Sequence, residues 1–126
     1  MMKTKQRPKH LDLPKIRLPL PGFVSILHRI SGFGLFIMIG VILGLLSLSF
    51  ESEVGYAQAV ECLTGWLGKL FVIGILWAFT HHFFAGIRFL LLDLHVGTEL
   101  GAARKSSAAV LILSLGVTLL IGAQLW

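Results

Sequence analysis

Trp77-Ala78-Phe79-Thr80-His81-His82-Phe83-Phe84-Ala85-Gly86-Ile87-Arg88-Phe89-Leu90-Leu91-Leu92-Asp93 places two adjacent histidines inside a run apolar enough to lie in a lipid bilayer, with an arginine one to two turns further on. Ionisable groups in that setting are expensive, which makes each of them a candidate for function. Working outward, three uncharged and predominantly apolar runs stand out: Ile30 to Phe50 (21 residues), Leu70 to Ile87 (18) and Ser106 to Trp126 (21). At about 1.5 Å of rise per residue, each crosses most or all of a hydrocarbon core roughly 30 Å thick. Carrying the second run past Arg88 to Leu92 lengthens it comfortably. The expected fold is an all-α integral membrane protein with three transmembrane helices over about 23–50, 65–92 and 106–126, preceded by a basic segment over 1–21.

Composition agrees. Apolar residues make up 56% of the chain and charged residues 13%, against about a quarter in a soluble domain. The net charge of +5 does not point to nucleic acid, because of where the charges lie. Lys3, Lys5, Arg7, Lys9, Lys15 and Arg17 precede the first span, and Arg104 and Lys105 separate the second from the third. The connection from Glu51 to Thr64 carries Glu51, Glu53 and Glu61 and no Lys or Arg. This positive-inside asymmetry predicts a cytoplasmic N-terminus and a C-terminus outside, with Lys69 snorkelling to the interface. The N-terminus lacks an apolar core and is interrupted by Pro8, Pro14, Pro19 and Pro21, so a cleavable signal peptide is not expected. The basic tail itself is read as a lipid-attracted, topogenic segment or as a strap for a soluble partner. The single cysteine, Cys62, excludes an internal disulfide and any cysteine-based metal or iron–sulfur site within this chain. No nucleotide-binding loop and no nucleophile–base arrangement is present.

Two polar constellations remain. In the first span, Ser25, His28, Arg29 and Gly32 follow one another at spacings of three and four, which puts a hydroxyl, an imidazole, a guanidinium and a glycine on one helix face. A snorkelling arginine beside an interfacial histidine, or a ligand site, both fit that face. In the second span, Ile75, Ala78, His82, Gly86, Phe89 and Asp93 share a face, while His81 lies with Gly74, Trp77, Arg88 and Leu92. Ala78 and Gly86, one turn either side of His82, leave room for a flat macrocycle, and imidazole is a common haem ligand. Hydrogen bonding between helices is the alternative use of the same residues. Neighbouring histidines point about 100° apart on a helix, so both cannot ligate one iron, and they lack the spacing of a zinc site. Asp93 and His95 sit at the end of the span, where water can reach them. Gly40 and Gly44 form a Gly-x-x-x-Gly pair of the kind that lets helices pack closely. The third span has no ionisable residue after Lys105 and is expected to serve packing and anchorage.

These residues resemble a known family. Arg7-Pro8 with Leu11-Asp12-Leu13, Ser25-Ile26-Leu27-His28-Arg29-Ile30-Ser31-Gly32, and His82-x-x-x-Gly86-Ile87-Arg88 followed by Asp93 are similar, end to end, to the cytochrome b556 membrane-anchor subunits of bacterial succinate dehydrogenase. The resemblance implies that His82 is this chain's axial ligand to a haem b whose other ligand comes from a second anchor subunit. It implies that Ser25 and Arg29 line a ubiquinone site, that His28 and Arg29 lie near the haem propionates, and that Asp93 is a weaker candidate for the quinone's proton supply. The tail would then help dock the iron–sulfur subunit, which with a flavoprotein subunit oxidises succinate and feeds the respiratory chain from the tricarboxylic acid cycle. The location implied is the bacterial cell inner membrane, with the C-terminus periplasmic. The resemblance departs at Phe89, where related members often carry a histidine near a propionate, and it assigns nothing to His81. A fumarate reductase anchor running in the opposite direction, and a non-redox structural or assembly protein whose histidines merely pack helices, are the rival readings.

Overall fold

The prolines decide where the first helix begins. Pro19 is extended (φ −65°, ψ 155°) and Pro21 falls in the first turn, where its missing N–H has no intrahelical acceptor to lose. The computed structural model describes residues 17–125, and in it α1 runs Leu20–Glu51, starting ahead of the Gly22 or Phe23 that the sequence suggests. Ser52 breaks it with extended backbone and then caps α2 (Glu53–Thr64) by accepting the Gly55 N–H at 3.0 Å. The connection between the first two spans is therefore a helix and not an irregular loop. A serine N-cap, an acidic Glu53 in the first turn and no proline are what permit it. Gly65 alone separates α2 from α3 (Trp66–Asp93). The end of α3 is a Schellman turn: His95 N–H reaches the Leu92 carbonyl, Val96 N–H reaches Leu91, and His95 takes the left-handed position at φ 60°. α4 spans Leu100–Leu125 and takes Arg104 and Lys105 into its opening turns.

No strand occurs among the described residues. α1, α3 and α4 have 32, 28 and 26 residues and are each long and apolar enough to cross a membrane, so the chain is a multi-pass membrane protein. Its burial pattern is the reverse of a soluble domain's. Phe36 is 72% exposed and Phe50 80%, while Ser31, Thr80, His81, Arg88, Ser107, Ser114 and Thr118 are buried. Large apolar groups face outward because lipid solvates them, whereas polar groups must find partners between helices.

α3 packs against both α1 and α4, and Val24, Ala85 and Val110 from the three helices meet in the core. The bundle thus has a basic end, with Arg17, Arg104 and Lys105, and an acidic end, with Glu51, Glu53 and Glu61. Toward the acidic end the helices splay around an apolar groove of about 610 Å³, lined by Leu45, Tyr56, Leu63, Phe71, Ile75 and Phe79 among others. Gly40 and Gly44 are exposed with nothing near the position of a Cβ, so this pair mediates no close packing among the described residues. The tail residues Arg7, Pro8, Leu11, Asp12 and Leu13, and the terminal Trp126, lie outside the described residues.

Candidate functional site

α1 and α3 run antiparallel and cross where each carries the pattern His-x-x-x-Gly, His28 to Gly32 on α1 and His82 to Gly86 on α3. The two imidazoles stack face to face, with ring centroids 4.1 Å apart and planes 8° from parallel. Each histidine lies over the other helix's glycine. A Cβ on Gly32 would fall 2.7 Å from His82 Cε1, and one on Gly86 would fall 3.7 Å from His28 Nε2. The space beside Gly86 is therefore where the His28 ring lies. Phe89 lies against the His28 ring, their centroids 5.1 Å apart.

Hydrogen bonds pin the ring of His82 to α1. Its Nδ1 is 3.1 Å from the His28 carbonyl oxygen and 3.4 Å from Ser31 Oγ, and Ser31 Oγ donates to the same carbonyl at 3.0 Å. His82 Nε2 makes no hydrogen bond among the described residues and remains accessible at the bundle surface. The ring is half-buried.

His81 is its opposite. The residue is fully buried, its ring stacks on Trp77 at 5.5 Å, and both ring nitrogens are sealed without a partner. The Val24 carbonyl lies beside the ring without reaching hydrogen-bond geometry. A group outside this chain can reach a nitrogen of His82 and neither nitrogen of His81.

The other predicted residues fall at the basic end. Ser25 and Arg29 stand one turn apart on α1, Ser25 half-buried and Arg29 exposed, and their side chains make no hydrogen bond among the described residues. Asp93 is exposed at the last position of α3 and forms no ion pair among the described residues. The structure thus brings His28, Ser31, Gly32, His82, Gly86 and Phe89 together, and leaves Ser25, Arg29 and Asp93 along the same end of the bundle with side chains unpaired among the described residues.

Two contributions escape a reading of the sequence. One is the partnership of Ser31 and Gly32 with His82, which the repeated His-x-x-x-Gly spacing on two helices could have signalled. The other is Arg88, only 6% exposed, whose Nε donates to Ser106 Oγ at 3.0 Å while its Nη2 lies 3.4 Å from the Ala103 carbonyl oxygen. It ties α3 to the first turns of α4 and holds its guanidinium 5.3 Å over the Phe89 ring.

Among the described residues no group of three or more His, Cys, Asp or Glu could hold a bare metal ion. An iron carried in a macrocycle needs only one donor from this chain, and the chemistry at His82 meets that need. A metal-ligating imidazole typically commits its other nitrogen to a carbonyl or carboxylate, as His82 Nδ1 does at His28.

A family model described as the succinate dehydrogenase/fumarate reductase transmembrane subunit matches residues 3–121. A protein of Coxiella burnetii named succinate dehydrogenase cytochrome b556 subunit is 36% identical over 123 residues, covering 96% of this chain and 98% of its own. The protein of that name from Paracoccus denitrificans is 36% identical over 105 residues, covering 83% and 81%. One from Rickettsia felis is 29% identical over 126 residues, covering 96% and 98%. With most of its length matched by the family model and by relatives at this level of identity, the chain belongs to the succinate dehydrogenase/fumarate reductase transmembrane subunit family.

Proposed function

We propose that this chain is a haem b-binding anchor subunit of succinate dehydrogenase, seated in the bacterial inner membrane with its basic end in the cytoplasm and its C-terminus in the periplasm. Soluble flavoprotein and iron–sulfur subunits oxidise succinate and pass electrons to ubiquinone at this anchor, and a second anchor subunit completes the haem site. The observation that carries the reading is the contrast within His81-His82: only His82 presents an unbonded, accessible ring nitrogen. The haem, when bound, would supply a one-electron carrier.

This chain's residues then have distinct tasks. His82 holds the iron from α3, its ring oriented by the His28 carbonyl. Arg29, exposed at the basic end, makes no hydrogen bond or ion pair among the described residues and can serve a haem propionate or a quinone oxygen. The His28 imidazole, one residue before it, is a second propionate partner. Ser25 would offer a hydroxyl to the quinone. Reducing ubiquinone consumes protons as well as electrons, so the site belongs at a water-facing edge, and Asp93 lies at that edge as a proton source.

The test is the reduced-minus-oxidised spectrum of the purified complex carrying His82→Ala. Loss of the b-type absorbance with the soluble subunits still attached is expected, and full absorbance would overturn the ligand assignment. Arg29→Ala in the same complex is expected to slow quinone reduction while succinate oxidation by an artificial acceptor continues.

A further inference from the structure

The contacts of His82 with α1 go beyond ligation itself. Taking His82 as the iron ligand, as proposed above, we infer that Ser31 and Gly32 are positioning residues for it: Gly32 clears the space in which the ring sits, and the Ser31 hydroxyl with the His28 carbonyl fixes which ring nitrogen carries the proton.

The donors and acceptors around Nδ1 decide its protonation. A carbonyl oxygen can only accept. Ser31 has one hydroxyl proton, and it is directed to the His28 carbonyl at 3.0 Å. Both groups that face His82 Nδ1, at 3.1 and 3.4 Å, therefore present lone pairs to it. Nδ1 must be the protonated nitrogen, which leaves the lone pair on Nε2. The α1 backbone selects the ring form that can coordinate iron through its accessible nitrogen.

Gly32 acts by what it lacks. A methyl group there would stand 2.7 Å from His82 Cε1, closer than carbon atoms tolerate. Alanine is a better helix former than glycine, so α1 itself gains from the substitution and the imidazole is what must move. Displacing it breaks the Nδ1 contact and redirects Nε2. Gly86 makes the internal contrast, because its Cβ would lie at an ordinary contact distance of 3.7 Å from His28 Nε2. Gly40 provides an external one, with nothing near its Cβ position.

The experiment uses the assembled complex with Gly32→Ala, Gly40→Ala and His82→Ala, reading haem per flavin and the low-temperature electron paramagnetic resonance spectrum of the oxidised haem. Gly32→Ala is expected to retain haem about 10–100-fold more weakly, the range seen when a ligand's supporting contact is lost, or to shift the resonance of whatever haem it keeps. Gly40→Ala should match the unmodified complex. Wild-type haem content and an unshifted spectrum in Gly32→Ala, with haem lost in His82→Ala, would overturn the positioning role and leave the ligand assignment standing. Full haem in His82→Ala would overturn both. Should Gly32→Ala fail to assemble, Ser31→Ala reads the same contact. A shifted resonance restored by Ser31→Thr is expected, and an unshifted one overturns the proposal.

Discussion

α3 meets a polar seam on each side, and the two seams are built differently. Against α4 the polar groups bond mostly to one another. Thr80 Oγ1 shares a 2.9 Å hydrogen bond with Thr118 Oγ1, Thr118 donates to the Ser114 carbonyl at 2.7 Å, and Arg88 is spent on Ser106 and Ala103. Against α1, His82 Nε2 and both ring nitrogens of the stacked His28 make no hydrogen bond among the described residues and are not sealed, with Arg29 exposed nearby. A closed seam holds helices together. An open one can take a ligand. Within a membrane the two are easily confused, since both consist of polar residues in apolar runs, and how far their donors and acceptors are used separates them.

The largest contrast should come from damaging each seam at its central residue. His82→Ala should abolish haem binding while the polypeptides stay assembled. Arg88→Ala should do the reverse: haem retained, and stability lowered by about 1.5–3 kcal/mol, the range for hydrogen bonds to a charged group. Equilibrium unfolding of the complex in detergent–SDS mixtures measures the second effect and the visible spectrum the first. Loss of haem in Arg88→Ala with unchanged stability would erase the distinction between the seams.

His81 offers a smaller and more diagnostic change. Its sealed, unpartnered nitrogens carry a desolvation penalty that an apolar side chain of similar volume avoids. His81→Leu is expected to keep full haem and to leave stability unchanged or raised by about 1 kcal/mol. A loss of haem there, in a complex that still assembles, would move the ligand assignment toward His81 and away from the open seam.

Much of the fold could be read from residues alone, for physical reasons that also explain the misses. Uncharged runs of bilayer length cannot do anything but span, and Arg104 and Lys105 mark the border before the last of them. They also hid the true start of α4 at Leu100, because a charge ends an apolar run without ending a helix. The segment 53–64 was obscured in the same way: its glutamates read as solvent exposure, while the Ser52 cap that starts a helix there is local geometry. Helix periodicity separated His82 from His81 and grouped it with Gly86 and Phe89, as the stack with His28 shows. What periodicity cannot give is which helix lies opposite. Gly32, Gly40 and Gly44 look alike in a sequence, yet only Gly32 has another helix's side chain against it.

The smallest effect tests whether the α3–α4 seam is closed by shared hydrogen bonds or only by packing. Thr80 Oγ1 reaches Thr118 Oγ1 at 2.9 Å and the Ser114 carbonyl at 3.2 Å, and it also back-bonds to the Trp77 carbonyl at 3.1 Å. Valine keeps the shape of threonine and removes the hydroxyl, so Thr80→Val, Thr118→Val and the double variant form a cycle that isolates the contact. Hydrogen bonds between transmembrane helices average about 0.6 kcal/mol, because polar groups also find partners in the unfolded chain within the membrane. A coupling of that size, with haem content unchanged in all three variants, is the expected outcome. Zero coupling would mean that the Trp77 and Ser114 carbonyls already satisfy both hydroxyls. The seam would then be held by packing, by Arg88 and by the Thr80 bond to the Ser114 carbonyl, without a link between the two hydroxyls.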